Sequence, residues 1–292
     1  MTMRMELSII ILNYKTKDLT LNCARSIVEQ YKKELDNDKF EIILVDNNSE
    51  DDSVKAFNRL RIKNLQIIES NENLGFGKGC NLGASKAKGE FLLFLNSDTE
   101  IKDQGFVKMV NFLSQNKNVG ILGGKLKNPN GTNQLSCGKF YSPFNLLLVL
   151  LGFNKLLNLR ESPNVIKKVD WVSGACFMIR KDIFNKVKGF AKDFFMYIED
   201  MELCFRVKKK GFSTYFYPNI MLFHKELGSS NKTFAVVNIY KGIIIFYKKH
   251  KSKPEYLLAK FMLKTKALIL VVLGKIVNNK YLQDTYSQAL KI

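Results

Sequence analysis

The residues 96–98 combine the side-chain types that bind metals with a position that suits a binding site. Four apolar residues at 92–95 lead directly into Asn96, Ser97 and Asp98. Asn, Ser and Asp form turns at the ends of strands. Ligands of open α/β sheets also bind outside the carboxyl ends of the strands. Asp98 is therefore either a turn residue or a metal-binding carboxylate at the rim of a sheet, and the two interpretations are compatible.

A second carboxylate, Asp46, occupies the same place relative to an earlier apolar run. It belongs to the stretch VDNNSEDDS at 45–53. Such a carboxylate can accept the imide N–H of uracil or thymine, a donor that cytosine and adenine do not offer in the same place. The alternative is an Asx-turn that caps the next helix.

A glycine-rich loop, NENLGFGKGCNLG at 71–83, follows the third apolar run. Glycine lets the backbone approach a diphosphate closely, and Lys78 beside Gly77 can neutralise its charge. The loop is neither a Walker A motif nor a dinucleotide fingerprint. Its alternative interpretation is a flexible connection between a strand and a helix.

Three carboxylates lie close together in IEDMEL at 198–203. Glu199 and Asp200 open a predicted helix, where acidic residues favour the helix dipole, and either could instead act as a general base. Glu202 and Arg206 are four residues apart and are predicted to form a surface ion pair.

The chain has one Trp and two His residues. Trp171 is either a core aromatic residue or a stacking face for a sugar. In the second case the small residues Gly174 and Ala175 leave room for the substrate. His224 follows a predicted strand, whereas His250 lies in a KKHK run that is predicted to be solvated.

The elements that must position these residues follow from the spacing of apolar residues. Five short apolar runs (7–12, 40–45, 65–70, 90–95 and 119–124) alternate with helix-like stretches over the first 126 residues. This pattern predicts a mostly parallel sheet covered on both faces. Further along, we predict a turn-rich region after 127, a helix over 146–159, a strand over 169–181, a helix over 198–211, a strand at 212–218 that Pro218 stops, and amphipathic helices after 231.

The composition indicates a globular, strongly basic protein. The formal charge is +19, and only seven of the 46 basic residues are Arg. Because nucleic-acid sites favour Arg for base contacts, the Lys excess points to an anionic membrane surface and away from nucleic acid. The five widely spaced cysteines are predicted to be reduced core residues of a cytosolic chain. We expect neither a signal peptide nor a membrane-spanning segment.

In their order along residues 7–226, these motifs resemble those of the inverting family 2 glycosyltransferases with the GT-A fold, and most closely the bacterial rhamnosyltransferase-like branch. The resemblance implies Mg²⁺ or Mn²⁺ held by Asp98 and His224, with Asp200 as the catalytic base and Glu199 as the fallback. Asn96 stands where many relatives have Asp, which weakens the metal site by one charge. The donor-binding positions that the resemblance implies are Asn13, Tyr14, Asp46, Asn48, Asn73, Gly77, Lys78, Asn81, Asn96, Ser97 and Asp98.

The resemblance also implies a domain organisation and substrates. Residues 1–230 are expected to form the catalytic domain, with a nucleotide-binding half (1–126) and an acceptor half (127–230) that supplies the base. Residues 231–292 are expected to form a basic, amphipathic helical region. We expect transfer of a sugar, rhamnose from dTDP-rhamnose in the first instance, to a polysaccharide or a polyprenyl-diphosphate-linked glycan.

Several alternatives remain open at this level. The donor could be UDP-galactofuranose, UDP-glucose or UDP-galactose. A nucleotidyltransferase would need a glycine-rich loop directly after the first strand, which the sequence lacks. A non-enzymatic membrane- or polyanion-binding protein would explain the charge but not the ordered carboxylates. The C-terminal helices could bind the cytoplasmic face of the membrane, pack on the catalytic domain, or form a homodimer.

Overall fold

The computed structural model describes residues 5–154, 156–225 and 231–292. Its core is a mixed sheet in the order β3-β2-β1-β4-β11-β6-β12-β5, with β9 paired to β12, and a small sheet in the order β10-β7-β8 lies beside it. The strands are β1 (Leu7–Asn13), β2 (Phe40–Asp46), β3 (Leu65–Glu69), β4 (Phe91–Asn96), β5 (Thr99–Ile101), β6 (Val119–Lys127), β7 (Cys137–Gly138), β8 (Arg160–Glu161), β9 (Lys167–Val169), β10 (Trp171–Val172), β11 (Cys176–Arg180) and β12 (Ser213–His224).

The helices flank both faces of the sheet. They are α1 (Lys17–Asp36), α2 (Ser53–Phe57), α3 (Phe76–Lys86), α4 (Gly105–Gln115), α5 (Pro143–Leu150), α6 (Lys181–Lys186), α7 (Glu199–Lys209), α8 (Lys232–His250), α9 (Lys253–Ile276) and α10 (Lys280–Leu290). Buried residues of α1, α2 and α4 form one core, and those of α3, α6, α7 and the C-terminal helices form the other. The predicted α/β fold with helices on both faces of a sheet is therefore confirmed.

The two cores explain why the early strands are apolar throughout. In β1, Ile9 and Ile11 belong to one core and Ile10 to the other, and in β4 Leu93 and Phe94 divide in the same way. Strands β3, β2, β1 and β4 pair in parallel. Their carboxyl ends therefore meet at one edge of the sheet, as the sequence pattern predicts.

The second half of the sheet departs from the predicted strand boundaries. Strand β11 runs antiparallel between β4 and β6. The predicted strand over 169–181 is divided into β10 and β11 by Ser173–Ala175, and the predicted helix over 146–159 already ends at Leu150. The prediction that Pro218 stops the last strand is wrong. The proline lies at a register shift between Tyr217 and Met221, where a missing N–H is tolerated, and β12 continues to His224.

Two predicted surface features lie in the interior. The Glu202 side chain is fully buried, forms an ion pair with Arg206 and lies 2.9 Å from His250 Nε2. His250 packs against the rings of Phe205 and Phe246. The predictions of a surface pair and of a solvated His250 are therefore wrong, because the end of α8, with Phe246 and His250, packs on Glu202 and Phe205 of α7. All five cysteines are free and buried, as predicted.

Candidate functional site

A cavity of about 820 Å³ opens at the carboxyl ends of the parallel strands and extends beneath the C-terminal helices. Its donor end, defined here as the part formed by strand ends and the loop before α3, is lined by Tyr14, Asn47, Asn73, Asn96, Ser97 and Asp98. Its acceptor end, defined as the part formed by β8, β10 and helices α5, α7, α8 and α9, is lined by Tyr141, Leu150, Arg160, Trp171, Gly174, Asp200, Ile239, Ile243 and Lys266, among others. Asp98, Asp200 and His224, which are far apart in the sequence, thus line one cavity.

Asp46 is held by neighbours at the ends of β1 and β2. Its Oδ1 accepts hydrogen bonds from Asn13 Nδ2 and Ser49 Oγ, both at 2.6 Å, and its Oδ2 accepts one from the Ser49 backbone N–H at 3.0 Å. Asp46 and Asn13 are buried and are not among the residues that line the cavity. A carboxylate has about four lone-pair positions, so these three donors leave one position on Oδ2 unused.

Asn47 is a cavity residue that the sequence analysis missed. Its side-chain amide donates to Asn73 Oδ1 at 2.9 Å and accepts from the Leu74 N–H at 3.0 Å. This side chain therefore joins the end of β2 to the glycine-rich loop. Its neighbour Asn48 adopts a left-handed φ of 61° and does not line the cavity. The position directly after the strand was the available signal, but the sequence does not show which of the two amides faces inward.

The glycine-rich loop contributes its first residues to the cavity and packs the others elsewhere. Gly75 has a φ of 75°, and a Cβ there would come within 2.2 Å of the Phe195 carbonyl oxygen. Asn81 exchanges two hydrogen bonds with the Phe190 backbone, each 2.9 Å long. Gly77, Lys78 and Asn81 do not line the cavity. Much of this loop therefore has a structural role, because it packs against residues 190–199.

Asn96, Asp98 and His224 form the polar cluster at the donor end. His224 Nε2 lies 3.3 Å from Asp98 Oδ1 and 3.1 Å from Asn96 Nδ2. The antiparallel pairing of β5 with β12, which places His224 opposite Thr99, brings the imidazole to the end of β4. Asp98 and His224 are both buried.

Gln134 fixes the tautomer of His224. Its Nε2 donates to the Asn128 Oδ1 at 2.7 Å and to the His224 carbonyl oxygen at 2.8 Å, so its Oε1 must face the ring. That oxygen lies 2.8 Å from His224 Nδ1, which therefore carries the proton. In the neutral ring of this tautomer, the lone pair on Nε2 points toward Asn96 and Asp98. An outer partner of this kind is typical of metal-binding histidines.

The donor set of this cluster fits a divalent cation of the Mg²⁺ or Mn²⁺ type. A carboxylate oxygen and an imidazole lone pair lie 3.3 Å apart, and two such acceptors attract a proton or a metal between them. The described residues contain no group of three or more His, Cys, Asp or Glu side chains that could hold a metal. Such a cation would therefore take its remaining oxygen ligands from amide groups, water or a substrate phosphate.

Asp200 is fixed at the start of α7 by two backbone donors. Its Oδ2 accepts from the Gly174 N–H at 2.9 Å, and its Oδ1 accepts from the Met201 N–H at 2.7 Å. A Cβ on Gly174 would lie 3.2 Å from the Phe76 ring and 3.7 Å from Asp200 Cβ, so this position leaves little room for a larger residue. Ala175, which follows, accepts the Asn96 N–H through its carbonyl oxygen at 3.2 Å.

The surroundings of Glu199 and of Asp200 affect the pKa values of the two carboxyl groups differently. Burial, and secondly the charge of Asp200, raise the pKa of Glu199 to about 8. Burial also raises the pKa of Asp200, but the N–H donors of Gly174 and Met201 and the guanidinium group of Arg160 oppose this shift. At neutral pH Glu199 is therefore mostly protonated, whereas the two N–H donors and Arg160 favour the charged form of Asp200 that a general base requires. Glu199 Oε2 is buried without a hydrogen-bond partner among the described residues.

The backbone before Asp200 is strained. Tyr197 and Ile198 have φ values of 70° and 72°, in the left-handed region that β-branched residues avoid. A Cβ on Gly242 of α8 would lie 2.8 Å from Ile198 Cγ1 and 2.9 Å from the Tyr197 carbonyl oxygen. The absence of a side chain at Gly242 thus lets α8 pack directly on the strained turn, and surrounding structure of this kind is what maintains strain at a site.

Trp171 is a buried wall of the acceptor end. Its indole N–H donates to the Lys139 carbonyl oxygen at 3.0 Å, and the Arg160 guanidinium group lies 5.4 Å from its ring centroid. Only 4% of the residue is exposed. The ring therefore positions Arg160, and the sequence-based role of a sugar-stacking face stays a prediction.

Comparisons with known proteins agree with this geometry. Residues 8–188 match the family model described as glycosyl transferase family 2. The low-salt glycan biosynthesis hexosyltransferase Agl10 of Haloferax volcanii is 27% identical over 72% of this chain and 64% of its own length. The N-acetylglucosaminyl-diphospho-decaprenol L-rhamnosyltransferase of Mycobacterium tuberculosis is 24% identical over 65% of this chain and 68% of its own. The rhamnosyltransferase WbbL of Escherichia coli is 26% identical over 51% of this chain and 60% of its own.

Solved structures show the same fold at low identity. The mannosyltransferase PcManGT of Pyrobaculum calidifontis, solved with GDP-Man and Mn²⁺, superposes with a TM-score of 0.61 at 16% identity and covers 99% of this chain and 86% of its own. GalNAc-T7, solved with UDP, GalNAc and Mn²⁺, has a TM-score of 0.64 at 14% identity over 97% of this chain and 55% of its own. These likenesses establish the GT-A architecture.

Proposed function

The chain belongs to glycosyltransferase family 2, and from that premise we propose that it is a metal-dependent, inverting hexosyltransferase. The observation that supports this proposal most strongly is that the Asp98–His224 cluster and Asp200 line the same cavity. The proposed donor is a sugar linked to a nucleoside diphosphate. The proposed acceptor is a hydroxyl group of a polysaccharide or of a lipid-linked glycan.

The residues of the donor end would hold the leaving group. Tyr14 and Asp46 are proposed to bind the nucleoside, and the remaining lone pair on Asp46 Oδ2 would accept an imide N–H from thymine or uracil. Asn73 and Ser97 are proposed to contact the ribose and diphosphate. Asp98 and His224 would hold Mg²⁺ or Mn²⁺, which offsets the charge that develops on the leaving diphosphate.

Asp200 would remove the proton from the acceptor hydroxyl. In a single displacement, the acceptor oxygen forms a bond to the anomeric carbon while the bond from that carbon to the diphosphate oxygen breaks on the opposite face. The anomeric configuration is therefore inverted. The two backbone donors hold the carboxylate in position, and Asp200 must come within about 3 Å of the hydroxyl group.

The donor sugar is proposed to be rhamnose from dTDP-rhamnose. Two relatives, those of Mycobacterium tuberculosis and Escherichia coli, are rhamnosyltransferases by name, whereas the Haloferax volcanii relative is a hexosyltransferase. UDP-galactofuranose, UDP-glucose and UDP-galactose are the alternatives. The name of the Mycobacterium tuberculosis relative supports a lipid-diphosphate-linked N-acetylglucosamine as the first acceptor to test.

A donor panel tests this proposal. The purified chain is incubated with Mn²⁺, a polyprenyl-diphosphate-linked N-acetylglucosamine and each sugar nucleotide in turn, and products are identified by mass spectrometry and NMR. We expect one donor to give a product with inverted anomeric configuration, and we expect chelation of Mn²⁺ to stop the reaction. A product with retained configuration, or full activity in excess chelator, would contradict the proposed mechanism.

We also propose that the protein binds the cytoplasmic face of the membrane through α5 and α9. Within residues 5–154, 156–225 and 231–292 no helix is long and apolar enough to cross a membrane. Large apolar side chains are nevertheless exposed on both helices, and α9 also carries several lysines. The exposed residues are Phe144 and Leu147 on α5 and Leu257, Leu258, Phe261, Leu268, Ile269, Val272, Leu273 and Ile276 on α9. Apolar side chains flanked by lysines suit an anionic lipid surface.

Vesicle sedimentation tests the membrane proposal. We expect the wild-type chain to bind vesicles that contain anionic lipid, and we expect the double substitution Phe261→Glu with Ile269→Glu to abolish binding. Val165→Glu, which changes an exposed apolar residue outside both helices, is the control and should bind normally. If the double variant instead converts a dimer to a monomer and vesicle binding is unchanged, these helices form a homodimer interface.

A further inference from the structure

Part of the cavity has apolar walls supplied by helices, and we call this part the apolar limb. It is lined by Val149 and Leu150 of α5 and by Val236, Ile239 and Ile243 of α8. A sugar hydroxyl and a nucleotide do not require walls of this kind. The apolar limb therefore suits a hydrocarbon chain that enters the same cavity as the acceptor hydroxyl.

Two cations line the cavity among the residues that the structure describes, and both lie at the acceptor end. Arg160 lies near enough to Asp200 to lower its pKa against the effect of burial. Its guanidinium group is positioned over the Trp171 ring, and no ion pair involves it within the described residues. Arg160 can therefore direct several N–H donors at an anionic ligand beside the base.

The second cation, Lys266, lies in the wall of the apolar limb. It projects from α9, and its Nζ donates to the carbonyl oxygen of Leu150, the last residue of α5, at 2.6 Å. Burial lowers its pKa, and the described part of the chain supplies no carboxylate partner for it. A partly buried cation without a counter-charge is costly. Its hydrogen bond to the last carbonyl group of α5 offsets part of this cost. An anion in the cavity would supply the missing counter-charge.

We propose that Arg160 and Lys266 bind the diphosphate of a lipid-linked acceptor, whose isoprenoid chain occupies the apolar limb. This inference rests on the proposed function and assigns its acceptor subsite. The arrangement follows the chemistry of such a molecule, in which the sugar hydroxyl, the diphosphate and the hydrocarbon chain are in series. The cavity lining offers a group for each of these parts: Asp200 for the hydroxyl group, Arg160 and Lys266 for the diphosphate, and the apolar limb for the hydrocarbon chain. Because α5 and α9 also carry the exposed apolar residues, the chain can continue from the limb into a membrane.

Two acceptors that differ only in the diphosphate test this assignment. Steady-state kinetics compare an isoprenyl-diphosphate-linked sugar with a neutral isoprenyl glycoside of the same sugar, at saturating donor. For Lys266→Met we expect KM for the diphosphate acceptor to rise about tenfold or more, as expected for loss of a charge-assisted contact. KM for the neutral glycoside and for the donor should change less than about twofold. Arg160→Gln should raise KM for the diphosphate acceptor with the same selectivity, and it should also lower kcat with both acceptors because the guanidinium group opposes the raised pKa of Asp200.

The control is Lys264→Met, which removes a lysine from the same helix that does not line the cavity. It should leave both acceptors unaffected. If Lys266→Met weakened the use of both acceptors equally and lowered the melting temperature, the lysine would only fasten α9 to α5 and the assignment would be overturned.

A binding measurement without donor separates this inference from the proposed function. Calorimetry with a short-chain isoprenyl diphosphate measures binding by wild type and by Lys266→Met in the absence of turnover. We expect the wild type to bind and the variant to bind about tenfold more weakly. Equal affinities would refute the subsite even if the enzyme proved active. Selective binding without any transfer from the donor panel would preserve the subsite and refute the proposed reaction.

Discussion

The two ends of the cavity are built in different ways. At the donor end, side chains at strand ends are tied to one another, as in the set Asn13, Asp46 and Ser49 and in the set Gln134, His224 and Asn96. At the acceptor end, helices α5, α8 and α9 supply mostly apolar walls, with Arg160, Lys266 and the buried acids as the charged groups. One end is a rigid polar network on a sheet, and the other is a helix-lined space.

The donor end would bind groups that many glycosyl transfers share, whereas the acceptor end would recognise one particular acceptor. Binding a nucleoside diphosphate and a metal requires fixed polar groups, and strand ends on a buried sheet provide them. Recognition of an acceptor requires shape and charge, which packed helices can change without disturbing the sheet. The substitutions below are expected to affect one end and spare the other.

The largest effect is expected at the acceptor end from Asp200→Asn. An amide cannot accept the proton, so we expect turnover to fall about 10³-fold. Binding of the sugar nucleotide, measured by calorimetry, should be unchanged because the donor end is intact. Asp182→Asn, at a side chain that is 69% exposed, serves as the control. Unchanged turnover in Asp200→Asn would remove this residue from the mechanism.

At the donor end we expect a smaller but selective effect from Gln134→Leu. Without the amide oxygen, His224 is free to move its proton to Nε2 or to turn away from Asp98. Metal affinity should fall about 10- to 100-fold, as measured by electron paramagnetic resonance of Mn²⁺ in the presence of nucleotide. Gln104→Leu, at a residue that donates to the Gln30 carbonyl oxygen and does not line the cavity, should bind Mn²⁺ normally. Equal Mn²⁺ affinity in wild type and Gln134→Leu would contradict this role.

The contact between α8 and the strained turn predicts an effect on catalysis at a distance from the substrate. We expect Gly242→Ala to reduce kcat about tenfold, because the added Cβ displaces the turn that positions Asp200. The second substitution Ile198→Gly should restore part of the activity, since it removes most of the clash and relieves the strained backbone. The Tyr197 carbonyl oxygen stays close, so full recovery is not expected.

Gly274 provides the matched control for this prediction. A Cβ there would also be tight, at 2.9 Å from Leu282 Cβ, but its neighbours belong to α10. Gly274→Ala should therefore lower stability without changing kcat of the folded protein. If both glycine substitutions reduced kcat equally, α8 would have no specific role in placing the base.

The smallest effect is expected on stability, from Glu199→Gln. Because the folded-state pKa of Glu199 is raised from 4.5 to about 8, the unfolded chain loses this proton first as the pH rises. The residue therefore lowers stability progressively between these two values. We expect the variant to match wild type near pH 4 and to be more stable near pH 8, by at least about 1 kcal/mol. Chemical unfolding at both pH values measures this difference, and a variant that is less stable at pH 8 would contradict it.

The contrast between strand ends and packed helices also explains which features could be predicted from the sequence. Strand ends are local features, so the position of Asp98 follows from the apolar run before it, and the parallel sheet then places it at the same edge as Asp46. Contacts between distant elements leave no local signal. Nothing in the KKHK run indicates that His250 contacts Glu202, and nothing near Gly242 indicates that α8 packs on the turn before Asp200.

The sequence also does not show which partner a given side chain contacts in the folded protein. Trp171 can be recognised as a candidate ring, but its cation contact with Arg160 depends on the pairing of β7 with β8 and β10. The sequence likewise shows Asn47 and Asn48 as equivalent amides, and only the backbone geometry at the end of β2 distinguishes them. Gln134 lacks a motif of its own, because its role depends on the neighbouring end of β12.

The most direct test of the account is a crystal structure with a nucleoside diphosphate and Mn²⁺, in which anomalous scattering locates the metal. The account predicts one strong peak within about 2.5 Å of both Asp98 and His224, with the diphosphate beside it and Asp200 facing the space where the sugar lies. A metal bound at Glu199 and Asp200, or a nucleotide outside the cavity, would contradict it.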